Sequence, residues 1–122
     1  MFSKGDVIRM MRVSDVLEGL SCCCLAGCSH AGRPVKGGYA GDLLSWVMAH
    51  AEKDDIWLTI LNSVNVIAVA ELTECACVLL TEGVTMDAAV LQRAEERGVV
   101  VLQTGLTTFA AAAGLEKLLQ RC

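Results

Sequence analysis

Three apolar runs decide the fold: "IWLTI" at residues 56–60, "CVLLT" at 77–81 and "VVVLQT" at 99–104. They recur at similar intervals, and each is followed by a polar loop and then by apolar residues at helical spacing. Continuous apolar runs, without polar alternation, are typical of strands that helices cover on both faces. The sequence therefore predicts an α/β fold with a mostly parallel central sheet.

Three helices follow these strands and are predicted over residues 64–75, 86–97 and 108–121. Thr85 and Thr107 are the predicted N-caps of the second and third helices, and Gly98 is the predicted C-cap of the second. The succession of strand, loop and helix is that of ordinary βα units and not of a solenoid repeat.

The first part of the chain predicts shorter elements. "SCCCLAG", residues 21–27, has the composition of a first strand, and Ser14 is the predicted cap of a short helix before it. Asp42 is the predicted cap of a further helix that runs to about Ala51.

Length and composition indicate one domain, residues 1–122, with a substantial apolar core. Hydrophobic residues make up 54% of the chain and charged residues 20%. Aromatic residues are only 4%, so that the core and any contact surface must be built from aliphatic side chains. The apolar excess, together with the small residues 110–114 of the last helix, predicts a homodimer.

Charge and hydropathy exclude several classes of partner. The formal net charge is −4, and no stripe of Lys and Arg is present, which argues against a nucleic-acid partner. No apolar run reaches the length of a membrane span, and the N-terminal residues 1–12 lack the apolar segment of a signal peptide. We therefore expect a cytoplasmic protein with no membrane partner.

A glycine-rich stretch, "RPVKGGYAGDLLSWVM" at residues 33–48, offers two interpretations. Lys36, Gly37, Gly38 and Tyr39 would form an anion cradle if their backbone N–H groups converge at the start of a helix. The same glycines suit a plain turn into that helix, and Asp42 as its N-cap would use some of the same N–H groups. The choice between a cradle and a turn stays open at this point.

The motifs for catalysis and metal binding are incomplete. "GCSHAGRP", residues 27–34, has the glycine spacing of a P-loop, but Arg33 and Pro34 replace its Lys and Ser/Thr. Cys22, Cys23 and Cys24 are consecutive and therefore alternate between faces of a strand, so we expect small buried side chains and not a metal site. No Ser, His or carboxylate constellation is visible, and neither an enzyme nor a bound cofactor is predicted.

Polar residues follow the carboxyl ends of the predicted strands, where open parallel sheets bind ligands. We take these as the second group of candidate ligand-binding residues: Asn62, Asn65, Thr104 and Thr107. Capping and turn chemistry would place Asn and Thr at the same points without a ligand.

The blocks "VKGGYAGDLLSWVMAHA", "DIWLTI", "NVIAVAEL" and "GVVVLQTGLTTFAAAAGL" resemble the DRTGG domain family, in its small stand-alone form, over roughly residues 12–120. The namesake motif aligns on residues 34–38, where Gly37 and Gly38 persist while Pro34, Val35 and Lys36 replace its Asp, Arg and Thr. The resemblance implies a three-layer α/β/α sandwich similar to the N-terminal domain of HPr kinase/phosphorylase. It also implies a regulatory or dimerising role, because the domain accompanies CBS domains in regulated pyrophosphatases and occurs in phosphate acetyltransferases.

Two functional hypotheses follow. The first is a non-catalytic regulatory module that binds an adenine nucleotide or another small anion and acts through a dimer interface on a protein partner. The alternative is a purely structural dimerisation or interaction module without a ligand. A redox or metal role of the cysteines is a third hypothesis, and metal analysis of the reduced protein would test it.

Overall fold

The computed structural model describes residues 10–121, and the expectations for the N-terminus that concern residues 1–9 lie outside this range. The strands are β1 Cys23–Ala26, β2 Gly37–Ala40, β3 Asp55–Thr59, β4 Cys77–Leu80 and β5 Val101–Gln103. The α-helices are α1 Val13–Gly19, α2 Leu44–His50, α3 Val64–Thr73, α4 Ala88–Arg97 and α5 Thr108–Gln120. A short 3-10 helix, Cys28–His30, follows β1.

The strands form one sheet in the order β1-β5-β4-β3-β2. The four strands from β5 to β2 are parallel, and β1 pairs with β5 in the antiparallel direction. All four residues of β4 are buried, as expected of a strand in the middle of a sheet with helices on both faces. The predicted α/β fold with a mostly parallel sheet is confirmed.

Two apolar cores, one on each face of the sheet, make the molecule three layers thick. Alternate residues of β3 supply both: Ile56 and Leu58 belong to the core beneath α1 and α5, and Trp57 belongs to the core beneath α2, α3 and α4. The three-layer sandwich that the resemblance implies is therefore confirmed.

The predicted caps are confirmed in two cases and wrong in three. Thr107 Oγ1 accepts a hydrogen bond from Ala110 N at 3.1 Å, and Gly98 ends α4 with a left-handed φ of 67°. Thr85 is not the N-cap of α4, because that helix begins at Ala88 and its N-cap is Asp87. Ser14 lies inside α1, whose N-cap is Arg12.

Asp42 is the third wrong cap. The residue before α2 is Leu43, and the Asp42 carboxylate instead accepts hydrogen bonds from Thr59 Oγ1 at 2.7 Å and Ile60 N at 3.1 Å. The carboxylate thus ties the chain after β2 to the end of β3, and these donors were not visible in the local sequence.

The glycine-rich stretch is neither a cradle at a helix start nor a tight turn, because Gly37 and Gly38 lie in β2, which pairs with β3. A Cβ added to Gly38 would lie 2.7 Å from Leu115 Cδ2 on α5. Gly38 therefore allows α5 to approach the sheet closely.

Two of the small residues of the last helix, Ala111 and Gly114, serve close packing within the chain. Ala111 is buried, and a Cβ on Gly114 would lie 2.6 Å from Leu20 Cδ2 at the end of α1. This packing lies within the chain, so it does not test the homodimer that the sequence predicts.

Candidate functional site: the two ends of the sheet

The loops after β2, β3, β4 and β5 meet at the carboxyl end of the parallel strands, and hydrogen bonds join each loop to the next. Trp57 Nε1 donates to Gly41 O at 2.9 Å, and Asn62 Nδ2 donates to Thr85 O at 2.9 Å. The hydroxyl oxygens of Thr81 and Thr108 lie 2.6 Å apart. These contacts make the carboxyl end a connected surface and not a set of independent loops.

Large apolar side chains are exposed on this surface. They come from three of the four loops and from the first turns of the helices that follow: Leu43, Ile60, Val64, Leu106 and Phe109. The Phe109 side chain is 84% exposed. We call these five residues the apolar edge.

Two of the three carboxylates in the loops at this end, those of Asp42 and Glu82 but not that of Asp87, are occupied by internal hydrogen bonds. Asp42 accepts from Thr59 and Ile60, and Glu82 Oε2 accepts from Thr108 N at 2.8 Å. The carboxyl end therefore presents hydrophobic side chains held by a polar network beneath them.

The candidate residues at this end are mostly used within the fold. Thr104 is buried, donates from Oγ1 to Leu20 O at 3.0 Å and accepts from Leu106 N at 3.2 Å. Thr107 caps α5, and Asn62 donates a hydrogen bond to the loop after β4. Asn65 is exposed in the first turn of α3. Whether these residues contact a ligand stays a prediction.

The other candidate residues lie elsewhere. Lys36 precedes β2 at the amino end of the parallel strands, and its Nζ lies 3.9 Å from Asp54 Oδ2. Gly37, Gly38 and Tyr39 follow it within β2. The structure thus separates Lys36 from the Asn and Thr candidates by the length of the strands, so the two groups do not form one site.

A cleft of about 450 Å³ opens at the amino end of the sheet. Its walls come from residues just before β2, β3, β4 and β5, and its lining includes three basic and three acidic side chains: Arg33, Lys53, Asp54, Glu71, Glu74 and Arg97. Sequence reasoning missed this cleft because it searched the residues that follow the strands. The charged residues that precede each strand in the sequence were the signal that could have indicated the cleft.

Three of the six charged side chains of this cleft, Asp54, Glu71 and Arg97, have ion-pair partners. Arg97 Nη2 lies 2.7 Å from Glu71 Oε2, and the hydrogen bond to Glu71 raises the pKa of the Arg97 guanidinium. Arg33 donates to Gly98 O and so binds the carbonyl at the end of α4. Burial raises the pKa of the Asp55 carboxyl, next to Asp54, above its usual range.

An aromatic cluster lies beside β2 and α2. The rings of Tyr39 and His50 stack with centroids 6.4 Å apart, and the Trp46 and His50 centroids are 4.6 Å apart. His50 Nδ1 is 2.9 Å from Trp46 O, one helical turn back. At the end of α2, His50 therefore contacts other residues of the fold through both its ring and its Nδ1 atom.

The cysteines divide into two kinds. Cys75 and Cys77 are buried, and burial raises the pKa of the Cys75 thiol to about 12. Burial also raises the pKa of the Cys22 thiol to about 11. The expectation of small buried side chains is wrong for Cys23, which is exposed, and for Cys24, which a disulfide joins to Cys28 across the turn after β1.

Within residues 10–121, no group of three or more His, Cys, Asp or Glu side chains is placed to hold a metal ion. In the same part of the chain, every buried side-chain nitrogen and oxygen has a hydrogen-bond partner. None of the described helices is long and apolar enough to cross a membrane.

The DRTGG domain family matches residues 42–118, which is more than half of the sequence. The chain belongs to the DRTGG domain family. The resemblance inferred from the sequence blocks is thereby confirmed, and the match covers β3, β4 and β5 with the helices that follow them. None of the curated proteins matches the chain.

One similar solved structure is the crystal structure of the CBS and DRTGG domains of the regulatory region of Clostridium perfringens pyrophosphatase, complexed with its activator diadenosine tetraphosphate. The TM-score is 0.69 at 15% sequence identity, and the likeness covers 84% of this chain. This chain corresponds to 45% of that one, or less than half of its length. At this identity the likeness concerns the DRTGG fold.

Proposed function

We propose that this chain is a non-catalytic, cytoplasmic regulatory domain that acts as a homodimer and responds to an adenine nucleotide or another small anion. The observation that carries the proposal is the apolar edge, which exposes five large hydrophobic side chains around a network of satisfied polar groups. Large apolar side chains exposed at one end of a fold favour that end as a contact site, because adjoining apolar surface marks contact sites in soluble proteins. A regulatory role agrees with the family and with the regulatory region that the solved neighbour represents.

Self-association through the apolar edge would follow two-fold symmetry, because the same patch would serve both subunits. Phe109 is its most exposed member, and burying a phenylalanine side chain contributes roughly 1.5–3 kcal/mol. Both subunits would bury this side chain, and the carboxylates of Asp42 and Glu82 would stay in their internal hydrogen bonds.

Sedimentation equilibrium tests the dimer with a matched pair of variants. We expect a dimer for the native chain, a monomer for Phe109→Asp, and a dimer for Leu72→Asp, which places the same charge on an exposed side chain of α3 away from the apolar edge. A reducing agent prevents crosslinks through Cys122, which lies outside the described residues. A native chain that is monomeric at high micromolar concentration contradicts the proposal.

The amino-end cleft is our proposed place for the anion. Its volume lies in the range of small-molecule sites, and Arg33, Lys53 and the neighbouring Lys36 supply positive charge near Asp54. The activator of the solved neighbour is a nucleotide with a chain of phosphates, which is the ligand class that such cations favour. The acidic side chains of the cleft would limit affinity unless the ligand displaces their present partners.

Thermal unfolding with phosphate, AMP, ATP and diadenosine tetraphosphate tests the ligand. A ligand at a hundred times its Kd stabilises the folded chain by about 2.7 kcal/mol, which is a readily measured rise in Tm. We expect Lys36→Ala and Lys53→Ala to reduce the rise and Lys117→Ala, on α5, to preserve it. If none of the four compounds raises the Tm of a dimeric native chain, the alternative of a structural dimerisation module is favoured.

A further inference from the structure

A disulfide and several hydrogen bonds fix the turn that follows β1. The disulfide joins Cys24, in β1, to Cys28, the first residue of the 3-10 helix. Gly27 N donates to Glu95 Oε1 at 2.9 Å, and His30 N donates to Gly27 O at 2.9 Å. Because the two cysteines are only four residues apart, the disulfide removes little entropy from the unfolded chain. Its main effect is therefore on the conformation of this turn.

The same turn continues into one wall of the amino-end cleft. Arg33 N donates to His30 O at 3.2 Å, and the Arg33 guanidinium donates to Gly98 O. Arg33 and Pro34 line the cleft together with Gly98. The place of Arg33 in the cleft therefore depends, through two successive hydrogen bonds of the turn, on the segment that Cys28 anchors to β1.

The disulfide is open to solvent on one side. Cys28 is exposed and Cys24 is half-buried. Exposed disulfides are the labile ones, because a thiolate from solution can attack the accessible sulfur and release the other as a thiolate. The exposed member of this pair is thus the point of entry for a small thiol.

The other cysteines among residues 10–121 are not placed to replace either partner. Cys23 precedes the disulfide in β1 and points to the opposite face of the strand, where its Sγ is 3.5 Å from Gln103 Oε1. Burial raises the pKa of the Cys22 thiol to about 11, so this thiol stays protonated and unreactive near neutral pH. Cys75 and Cys77 are buried. The pairing of the disulfide is therefore specific.

We propose that Cys24 and Cys28 form a reversible redox site, which exchanges with small thiols and disulfides of the glutathione class, and that the oxidised form fixes the turn beside the amino-end cleft. In oxidation, the Cys28 thiolate attacks one sulfur of glutathione disulfide, forms a mixed disulfide and releases one glutathione thiolate. The Cys24 thiolate then attacks Cys28 Sγ and releases the second. The two electrons and two protons of the protein thiols thus leave on two molecules of glutathione, and reduction is the reverse.

Anaerobic mixtures of reduced and oxidised glutathione test the site in the full native chain. After alkylation of free thiols, tandem mass spectrometry locates the cysteines that stay joined. We expect Cys24 and Cys28 to be joined in the oxidising mixtures and alkylated in the reducing ones, with the same result from either direction. Cys28→Ser should abolish the internal disulfide, whereas Cys23→Ser, the matched control in β1, should preserve it.

Three results of this titration would overturn the redox site. The pair stays reduced in every mixture, it stays oxidised in every mixture, or Cys24 or Cys28 joins a different cysteine. The native chain decides between these outcomes even if Cys28→Ser fails to fold.

Hydrogen exchange tests the effect on the turn by comparing the oxidised and the reduced native chain. We expect the amides of His30 and Arg33 to exchange at least about tenfold faster in the reduced chain. The amide of Val78, which donates to Val100 O within the sheet, should be unchanged. Equal exchange at His30 and Arg33 in the two states contradicts the proposal for the turn. The measurement needs no ligand, so its outcome is independent of the anion that we propose for the cleft.

Discussion

The two ends of the parallel sheet are built from different interactions. At the carboxyl end, neutral hydrogen bonds such as those of Trp57 and Thr81 join the loops, and large apolar side chains face outward. At the amino end, ion pairs line an open cleft: Arg97 with Glu71, and Lys36 with Asp54 beside it. In our proposal, the carboxyl end is the contact surface and the amino end takes the charged ligand.

The two ends also differ in the interactions that stabilise them. The Arg97–Glu71 ion pair at the amino end is exposed, and exposed pairs contribute little to stability because water and salt screen them. The carboxyl-end bonds depend on buried donors such as the indole of Trp57 and the hydroxyl of Thr104. We therefore expect substitutions at the carboxyl end to destabilise the fold by removing buried hydrogen-bond donors. Substitutions at the amino end should destabilise the fold by straining its turns.

The largest expected effect is at the carboxyl end. Trp57→Ala removes a fully buried side chain and the donor to Gly41 O, and we expect it to lower the free energy of unfolding by about 4 kcal/mol. Trp46→Ala, at a side chain 57% exposed, is the matched control and should cost under about 0.5 kcal/mol. Urea denaturation measures both, and similar losses for the two tryptophans would contradict this account.

Gly27→Ala should produce the next largest loss, at the amino end. Gly27 has a φ of 68°, and an added Cβ would lie 2.5 Å from the backbone oxygen of Val99. Backbone strain and this contact together should lower the free energy of unfolding by about 3 kcal/mol. Gly32→Ala is the control, because a Cβ there meets no atom within 4 Å, and calorimetry should find its Tm nearly unchanged.

The smallest effect concerns the pH dependence of the amino end. Burial raises the folded-state pKa of Asp55 above its usual 3.8, so its contribution to stability is present below pH 3.8 and is lost as the pH rises through the folded-state pKa. The side-chain amide that Asp55→Asn introduces does not titrate, and its oxygen can still accept the hydrogen bond from Glu52 N. The variant should gain stability relative to the native chain on going from acid to neutral pH.

The carboxyl of Asp55 is largely hydrated, so this gain should stay under about 0.5 kcal/mol. Urea denaturation at one pH below 3.8 and at another near neutrality measures it, with Glu96→Gln on the exposed side of α4 as the control. A relative loss of stability for Asp55→Asn as the pH rises would reverse the sign and refute the argument.

The sequence predicted β3, β4 and β5 and their helices well, since each strand is a continuous apolar run with a clear helix after it. The order of the strands needed the structure, because the pairing of β1 with β5 joins distant segments. Gly98 and Thr107 were predictable caps because their signals are local.

The errors arose where a distant partner outweighed a local signal. Gly37 and Gly38 look like turn residues in the sequence, yet pairing with β3 and the approach of Leu115 place them in a strand. Asp42 has the position of a cap, but Thr59 and Ile60 supply competing donors. The amino-end cleft was missed because its walls precede the strands, whereas the rule for parallel sheets directs attention to the residues after them.

The pairing of the first strand with the last has a consequence for how the chain folds. Cys23 lies opposite Gln103, eighty residues away, so β1 has no sheet partner until β5 has been synthesised. Contacts of such long range close slowly because a large loop must be ordered before they form. We therefore expect β2, β3 and β4 to pair early during synthesis, and β1 to join the sheet only after β5 has been synthesised.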